Sequence, residues 1–311
     1  MPDLRFSLVL GVLGLSGLLF SQDSSEKDTI AVDVVRVVLH ATVRESKSGF
    51  VSDLEKEHFT VLEDGVPQKL LSFSREDEPI AVGLLVDNSQ SMMNKRSHVV
   101  AAAKAFVGAS KPNDEIFVLH FNEQLSYGLP SSTRFTGDRG LLDAALDKMR
   151  LDGRTALYDA IYEGLMNLRH SKLSKKVLLV ISDGGDNMSV SKAGDVVREA
   201  DLSGALFFGI GIYDPMDGDA NPGVLRKLAK DTGGEAYFPK DLLEIKGLCE
   251  AIARDLRNQY ALSYAPSQNA SGPHYHRLQV KVKDPKGRKL IVRTRTGYYS
   301  KGLQSEDSKT P

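Results

Sequence analysis

Tryptophan is absent from this chain of 311 residues, and cysteine occurs once. A single thiol cannot close an intrachain disulfide or build a multi-cysteine zinc or iron–sulfur site. The fold must therefore hold by packing, and any metal must be held by oxygen or histidine. Charge of one sign is lacking too: 40 Lys and Arg stand against 41 Asp and Glu, a formal net charge of -1. That balance argues against broad electrostatic binding to nucleic acid, and no nucleic-acid partner is expected. No apolar run reaches the about 20 residues of a comfortable membrane span. What is present is the composition of a folded globular protein, 41% hydrophobic and 26% charged. The length suits about two domains.

The apolar stretch Phe6 to Phe20 follows Arg5 and gives way to Ser21 and Gln22. A basic residue, a short apolar run and then small or polar residues is the layout of a secretory signal peptide. Residues 1–22 are read as that signal or, since no A-x-A-like cleavage site is evident, as an N-terminal membrane anchor. The expected location is the periplasm, the cell envelope or the outside of the cell. No cysteine follows the run, so a lipid anchor is not expected. A chain with one thiol also has no second one to mispair with in an oxidising compartment.

Residues 30–76 read as a small β-module. A β-branched run occupies 30–44, and His58 to Glu63 forms a second strand closed by the turn pair Asp64-Gly65. Strand character resumes at Leu70 to Phe73. From residue 79 to 257 the rhythm changes. Short apolar runs at 80–86, 115–121, 176–182 and 205–213 alternate with amphipathic stretches at 92–109, 140–150, 156–168 and 192–202, and a last helix covers 241–257. Such runs are what parallel strands buried on both faces require. The fold class is α/β, a doubly wound, mostly parallel, Rossmann-like sheet flanked by helices. Residues 258–300 return to alternating strands and are expected to pack with 30–76 as one discontinuous unit. Residues 301–311 read as a disordered tail.

Chemistry concentrates at one edge of that sheet, because ligands of open α/β sheets bind at the carboxyl ends of the strands. The first buried strand runs into Asp87, Ser89 and Ser91, where a helix begins. Thr155 stands at the start of another helix, and Asp183 follows the strand KVLLVIS. Two carboxylates and three hydroxyls are hard oxygen donors, suited to Mg²⁺, Mn²⁺ or Ca²⁺ rather than zinc or copper. With few carboxylates, a bound cation would keep positive charge and welcome an acidic group from a partner.

These segments, DNSQSM after an apolar strand, GRTALYDA and VLLVISDGGDN, resemble the metal-ion-dependent adhesion site of the von Willebrand factor A-type domain. The likeness spans about residues 79–245. The flanks (Leu54, Phe59, Glu63-Asp64-Gly65 and Phe73 before it, YALSYAP and VRTRTGYYS after it) resemble a group of exported bacterial VWFA-related proteins, of the acidobacterial type. Carried over by position, the resemblance implies that Asp87, Ser89, Ser91, Thr155 and Asp183 hold the cation, some of them through water. Mg²⁺ is the first expectation, with Mn²⁺ and Ca²⁺ as alternatives. The implied function is non-enzymatic: a protein partner supplies the acidic residue that completes the coordination sphere, and association with a membrane would run through the N-terminus.

Two other readings use the same edge, a metal-assisted hydrolase or phosphotransferase and a purely structural cation. The enzyme reading has little beside it. Ser89 stands where a haloacid-dehalogenase-like site wants a second aspartate, and neither a G-x-S-x-G elbow nor a phosphate-cradling G-x-x-x-x-G-K-[ST] loop occurs. Elsewhere, 214–221 reads as a solvated acidic loop, because it departs from calcium-loop spacing. His274 and His276 show no third ligand in the sequence and are not taken as a metal site. Cys249 shares a helical face with Ile245, Ile252 and Leu256 and belongs in the core. The basic stretch Lys281 to Arg295 reads as a solvated strand face, or as a surface attracting anionic polymers or lipid headgroups.

Overall fold

Two sheets are built from the flanks of the chain and one from its middle. The computed structural model describes residues 36–45, 49–75, 77–148, 152–213, 222–266 and 274–300. The N-terminal segment 1–22, the acidic loop 214–221 and the tail 301–311 lie outside the described residues. In chain order, the first flank contributes β1 (Val37–Glu45), β2 (Gly49–Phe50), β3 (Phe59–Glu63), β4 (Val66–Gln68) and β5 (Leu70–Ser74). The middle runs through β6 (Ile80–Asp87), α1 (Arg96–Ala109), β7 (Glu115–Phe121), β8 (Leu125–Tyr127), α2 (Arg139–Asp147) and α3 (Leu157–Leu168). It continues with β9 (Lys175–Ser182), α4 (Ala193–Ser203), β10 (Leu206–Gly211), α5 (Pro222–Thr232), β11 (Glu235–Tyr237) and α6 (Glu244–Arg257). The last flank adds β12 (Tyr260–Tyr264), β13 (Tyr275–Val282), β14 (Leu290–Arg293) and β15 (Gly297–Tyr299).

The central sheet has the order β11-β10-β9-β6-β7-β8. Its first five strands are parallel, and β8 is antiparallel to β7. Every residue of β6 is buried, as a strand covered by helices on both faces must be. This is an α/β fold. The register aligns the strand ends: Asp87 lies opposite Phe121, and Ser182 opposite Gly211. The chain leaves β6 for β7 on one side and later returns as β9 on the other. That reversal is the switch point at which open sheets leave a crevice for ligands. Close packing helps fix it. A Cβ at Gly164 of α3 would lie 2.8 Å from Leu178 and 3.0 Å from Leu85, and one at Gly83 would meet the Phe117 ring at 2.6 Å.

The flanking strands pair with one another across the sequence. One sheet has the order β14-β1-β12-β5, with β2 also on β1, and the other has β15-β13-β3-β4. Thus Val37 faces Tyr264 and Glu63 faces Leu278. One apolar cluster draws on both sheets, including Leu39, Val61, Leu262 and Val280. Phe59, Phe73 and Tyr260 stack within it at 4.9–5.5 Å. The Tyr260 hydroxyl donates to Val51 O at 2.9 Å, so this buried ring keeps its polar end satisfied.

Polar contacts tie the flanks to the middle. Arg257, at the end of α6, binds Asp77 at 3.2 Å and also Asp114. Arg44 of β1 lies 3.5 Å from Asp255 of α6. Cys249 is fully buried, and burial pushes its thiol up to about 12. Much of the basic stretch is paired: Arg288 with Asp53 and Asp284, Lys286 with Asp53, and Arg293 with Glu235. Among the described residues no helix is long and apolar enough to cross a membrane.

Candidate functional site

The carboxyl edge of the central sheet gathers three loops. Asp87 ends β6 and is fully buried. Its Oδ1 accepts the amide of Ser89 at 2.9 Å, an aspartate capping the turn two residues on. Its Oδ2 accepts the hydroxyl of Ser182, the last residue of β9, at 2.6 Å. Ser89 then occupies the N-terminal position of a 3₁₀ turn, Gln90–Lys95, that leads into α1, without a capping bond from its side chain. The Oγ atoms of Ser89 and Ser91 stand 3.0 Å apart. Ser89 is buried and Ser91 exposed, so the pair runs from the base of the cluster to its mouth.

Backbone hydrogen bonds stitch the second and third loops to the first. Asp152 N donates to Asn88 O, and Gln90 N to Gly153 O, each at 3.1 Å. Gly153 takes a φ of 68°, a left-handed turn that glycine makes without strain. Thr155, which is buried, lies just before α3. Its carbonyl accepts from the amides of Asn187 and Met188 at 3.0 and 3.1 Å. Its amide donates to the Asn187 side chain at 3.1 Å. The five residues singled out from the sequence therefore lie on three interlocked loops. Asp87, Ser89 and Ser91 are joined directly, Asp87 and the Asp183 loop through Ser182, and Thr155 through its backbone.

Asp183 carries the electrostatic question. It is buried, and its Oδ1 accepts the Gly185 amide at 3.4 Å. Among the described residues its Oδ2 has no hydrogen-bond partner. The ammonium of Lys95 lies 3.6 Å away, donating instead to Ile212 O at 3.0 Å. Burial, and then the negative charge of Asp183, pushes Asp87 up to about 6, against the pull of the Ser182 and Ser89 hydrogen bonds. Two carboxylates removed from water, one with an unsatisfied oxygen, are costly unless something positive compensates them. Two carboxylates and three hydroxyls fit a hard divalent cation, whose coordination sphere is made of oxygen.

Several contributors were not singled out from the sequence. Ser182 bonds Asp87 and also accepts the Gly184 amide at 2.9 Å. Lys95 reaches in from the 3₁₀ turn. Asp159 caps the far end of the third loop, accepting from Val190 and Ser191 at 2.9 and 2.8 Å. Ser182 and Lys95 flank the motifs by a residue or a turn, but a serine or lysine at that spacing carries no signal of its own.

The family model of the von Willebrand factor type A domain matches residues 82–251. Among solved structures, the chain is similar to a von Willebrand factor type A protein from Catenulispora acidiphila. The identity is 12%, over 89% of this chain and 76% of that one, with a TM-score of 0.52. A weaker likeness is to the von Willebrand domain of a type V pili tip protein from Porphyromonas gingivalis (11% identity, 57% of this chain, 94% of that one, TM-score 0.46). Another is to an aerotolerance-related membrane protein from Bacteroides fragilis (17%, 57% and 98%, TM-score 0.47). No curated protein sequence matches the chain.

Proposed function

The chain belongs to the von Willebrand factor type A domain family, and from that footing we propose that it is an exported, non-enzymatic protein-binding module. In this reading Asp87, Ser89, Ser91, Thr155 and Asp183 hold a divalent cation, Mg²⁺ before Mn²⁺ or Ca²⁺, and a protein partner contributes an acidic side chain. Residues 1–22 direct the export. The observation that carries the reading is the buried carboxylate pair, Asp87 and Asp183, with Asp183 Oδ2 lacking a hydrogen-bond partner among the described residues.

Each residue has a task in this account. Asp87 and Asp183 supply the negative charge at the base, where burial strengthens their attraction for a cation. Ser182 and the Ser89 amide hold the Asp87 carboxylate in one orientation. The hydroxyls of Ser89, Ser91 and Thr155 are neutral donors, so the two carboxylates just balance a divalent cation and no further anion screens its positive charge from a partner. When bound, the cation supplies that positive charge and a coordination position for the partner's carboxylate. On these loops and the turn after the first, Met93 is 55% and Val190 91% exposed, and Arg154, next to Thr155 in sequence, is exposed as well. Apolar side chains with an arginine are the contacts that anchor protein interfaces.

The test is capture from a cell-envelope extract on the immobilised chain, run in Mg²⁺, in chelator, and with Asp87→Ala. A partner retained by the wild type in Mg²⁺ alone supports the reading. The same partner retained in all three arms overturns it. Metal-dependent turnover of a generic phosphoester would overturn it in favour of a hydrolase.

A further inference from the structure

A second cluster of ligand-bearing side chains lies in the sheet β15-β13-β3-β4, and its donors differ from those of the three loops. His274 immediately precedes β13 and His276 is its second residue, so the two leave the same face of an extended chain. Their rings sit edge to face, 5.0 Å between centroids. Sequence alone offers this pair no third ligand, but the fold provides one. Because β13 pairs with β3, the turn after β3 carries Asp64 to the histidines, with a φ of 51° that bends the chain there. One ligand atom from each of Asp64, His274 and His276 lies within 4.8 Å of the others.

The surroundings hold these groups in place. Asp64 Oδ1 accepts the Arg277 amide at 2.8 Å, which leaves Oδ2 facing His276 Nδ1, also at 2.8 Å. His276 is 8% exposed and stacks on the Tyr298 ring at 5.1 Å. Behind it Glu63, only 3% exposed, receives the hydroxyls of Tyr264 and Tyr298 on Oε2. Its other oxygen, Oε1, lies 3.8 Å from His276 Nδ1. Zinc bonds of about 2.0–2.1 Å in tetrahedral geometry put ligand atoms roughly 3.4 Å apart, between the 2.8 Å of the Asp64–His276 contact and the 4.8 Å within which all three ligand atoms fall. His274 and Asp64 are exposed, so one side of the cluster opens to solvent.

We propose that Asp64, His274 and His276 form a site for a zinc-class divalent cation, with one coordination position open to water or an incoming ligand. Two imidazoles and a carboxylate are the donors that select zinc over magnesium. Glu63, held by two tyrosines, adds negative charge 3.8 Å from His276 Nδ1. The site is independent of the three-loop cluster and joins the β3–β4 turn to the start of β13.

Calorimetric titration with Zn²⁺ tests this on the full chain, as wild type, Asp87→Ala, His274→Ala and Asp64→Asn. Wild type and Asp87→Ala are each expected to take one Zn²⁺ with equal affinity at this site, and the Co²⁺-loaded chains to show the strong visible absorption of a four-coordinate ion. His274→Ala and Asp64→Asn are each expected to weaken uptake by at least about tenfold. Both should match the wild type in thermal midpoint when chelator is present, since the substituted side chains are exposed. Zn²⁺ uptake that is absent from the wild type, or that is unchanged in both variants, overturns the proposal.

Discussion

At the scale of single residues, the account turns on the charge of Asp87. Burial and the neighbouring Asp183 hold it at about 6 in the folded chain, above the ordinary aspartate value. A carboxyl that binds its proton more tightly when folded stabilises the protein at low pH. That contribution is lost as pH rises from about 4 through about 6. At pH 7 the metal-free chain bears the whole cost, and Asp87→Asn is expected to stabilise it by about 1–3 kcal/mol. The gain should vanish near pH 4, and Mg²⁺ should no longer raise the midpoint of the variant. Thermal denaturation at the two pH values checks this, and a variant less stable than wild type at pH 7 contradicts it. Lys95 would compete with a cation for the charge of Asp183, which it approaches at 3.6 Å. Lys95→Met should therefore tighten Mg²⁺ binding by about tenfold, roughly 1.4 kcal/mol, and unchanged or weaker binding would count against that competition. The aspartates and serines were legible in the sequence because they sit in short segments at the ends of apolar runs, and Thr155 because it stands just before a helix. The roles of Ser182 and Lys95 were not, since their partners lie 95 and 88 residues away.

At the scale of elements, the cluster depends on how closely α3 lies on the sheet, because Thr155 immediately precedes that helix. Gly164 leaves room for the Leu178 and Leu85 side chains, whose methyl groups would meet a Cβ at 2.8 and 3.0 Å. Gly164→Val should cost about 1–3 kcal/mol by overpacking. It should also weaken Mg²⁺ binding by lifting the start of α3. Urea denaturation beside Mg²⁺ titration measures both, and a variant normal in the two would contradict the packing argument. The long strands were readable because burial on both faces leaves unbroken apolar runs, as in β6 and β9. The short ones carry no such pattern: all three residues of β8 are exposed, and β11 is half-buried throughout. Helix α5 was also unanticipated. Its buried face is little more than Leu225, Leu228 and Ala229, a single turn of periodicity in a polar stretch. The helix expected from residue 92 begins instead as a 3₁₀ turn, directly after the loop that carries Ser89.

At the scale of the whole molecule, the described residues pack as one unit whose flanks close on each other and on the end of α6. Arg257 bonds Asp114, whose side chain is fully buried, and Asp77 on the segment leading into β6. Backbone amides of Ile80 and Lys111 also bind Asp114. Arg257→Ala should then cost about 2–4 kcal/mol, less than the loss of a sole partner. Urea denaturation showing under half of that loss would contradict a joining role. That residues 37–74 pair with 260–299 could be guessed from two β-rich flanks, whereas the register that brings Asp64 to His276 could not. The central claim is the proposal that the buried carboxylates Asp87 and Asp183 bind a divalent cation, and calorimetric titration of Mg²⁺ tests it most directly. The account predicts one Mg²⁺ per wild-type chain and none for Asp87→Ala or Asp183→Ala, with His274→Ala unaffected. Wild-type protein that binds no Mg²⁺ or Mn²⁺, or aspartate variants that bind as well as wild type, would contradict it.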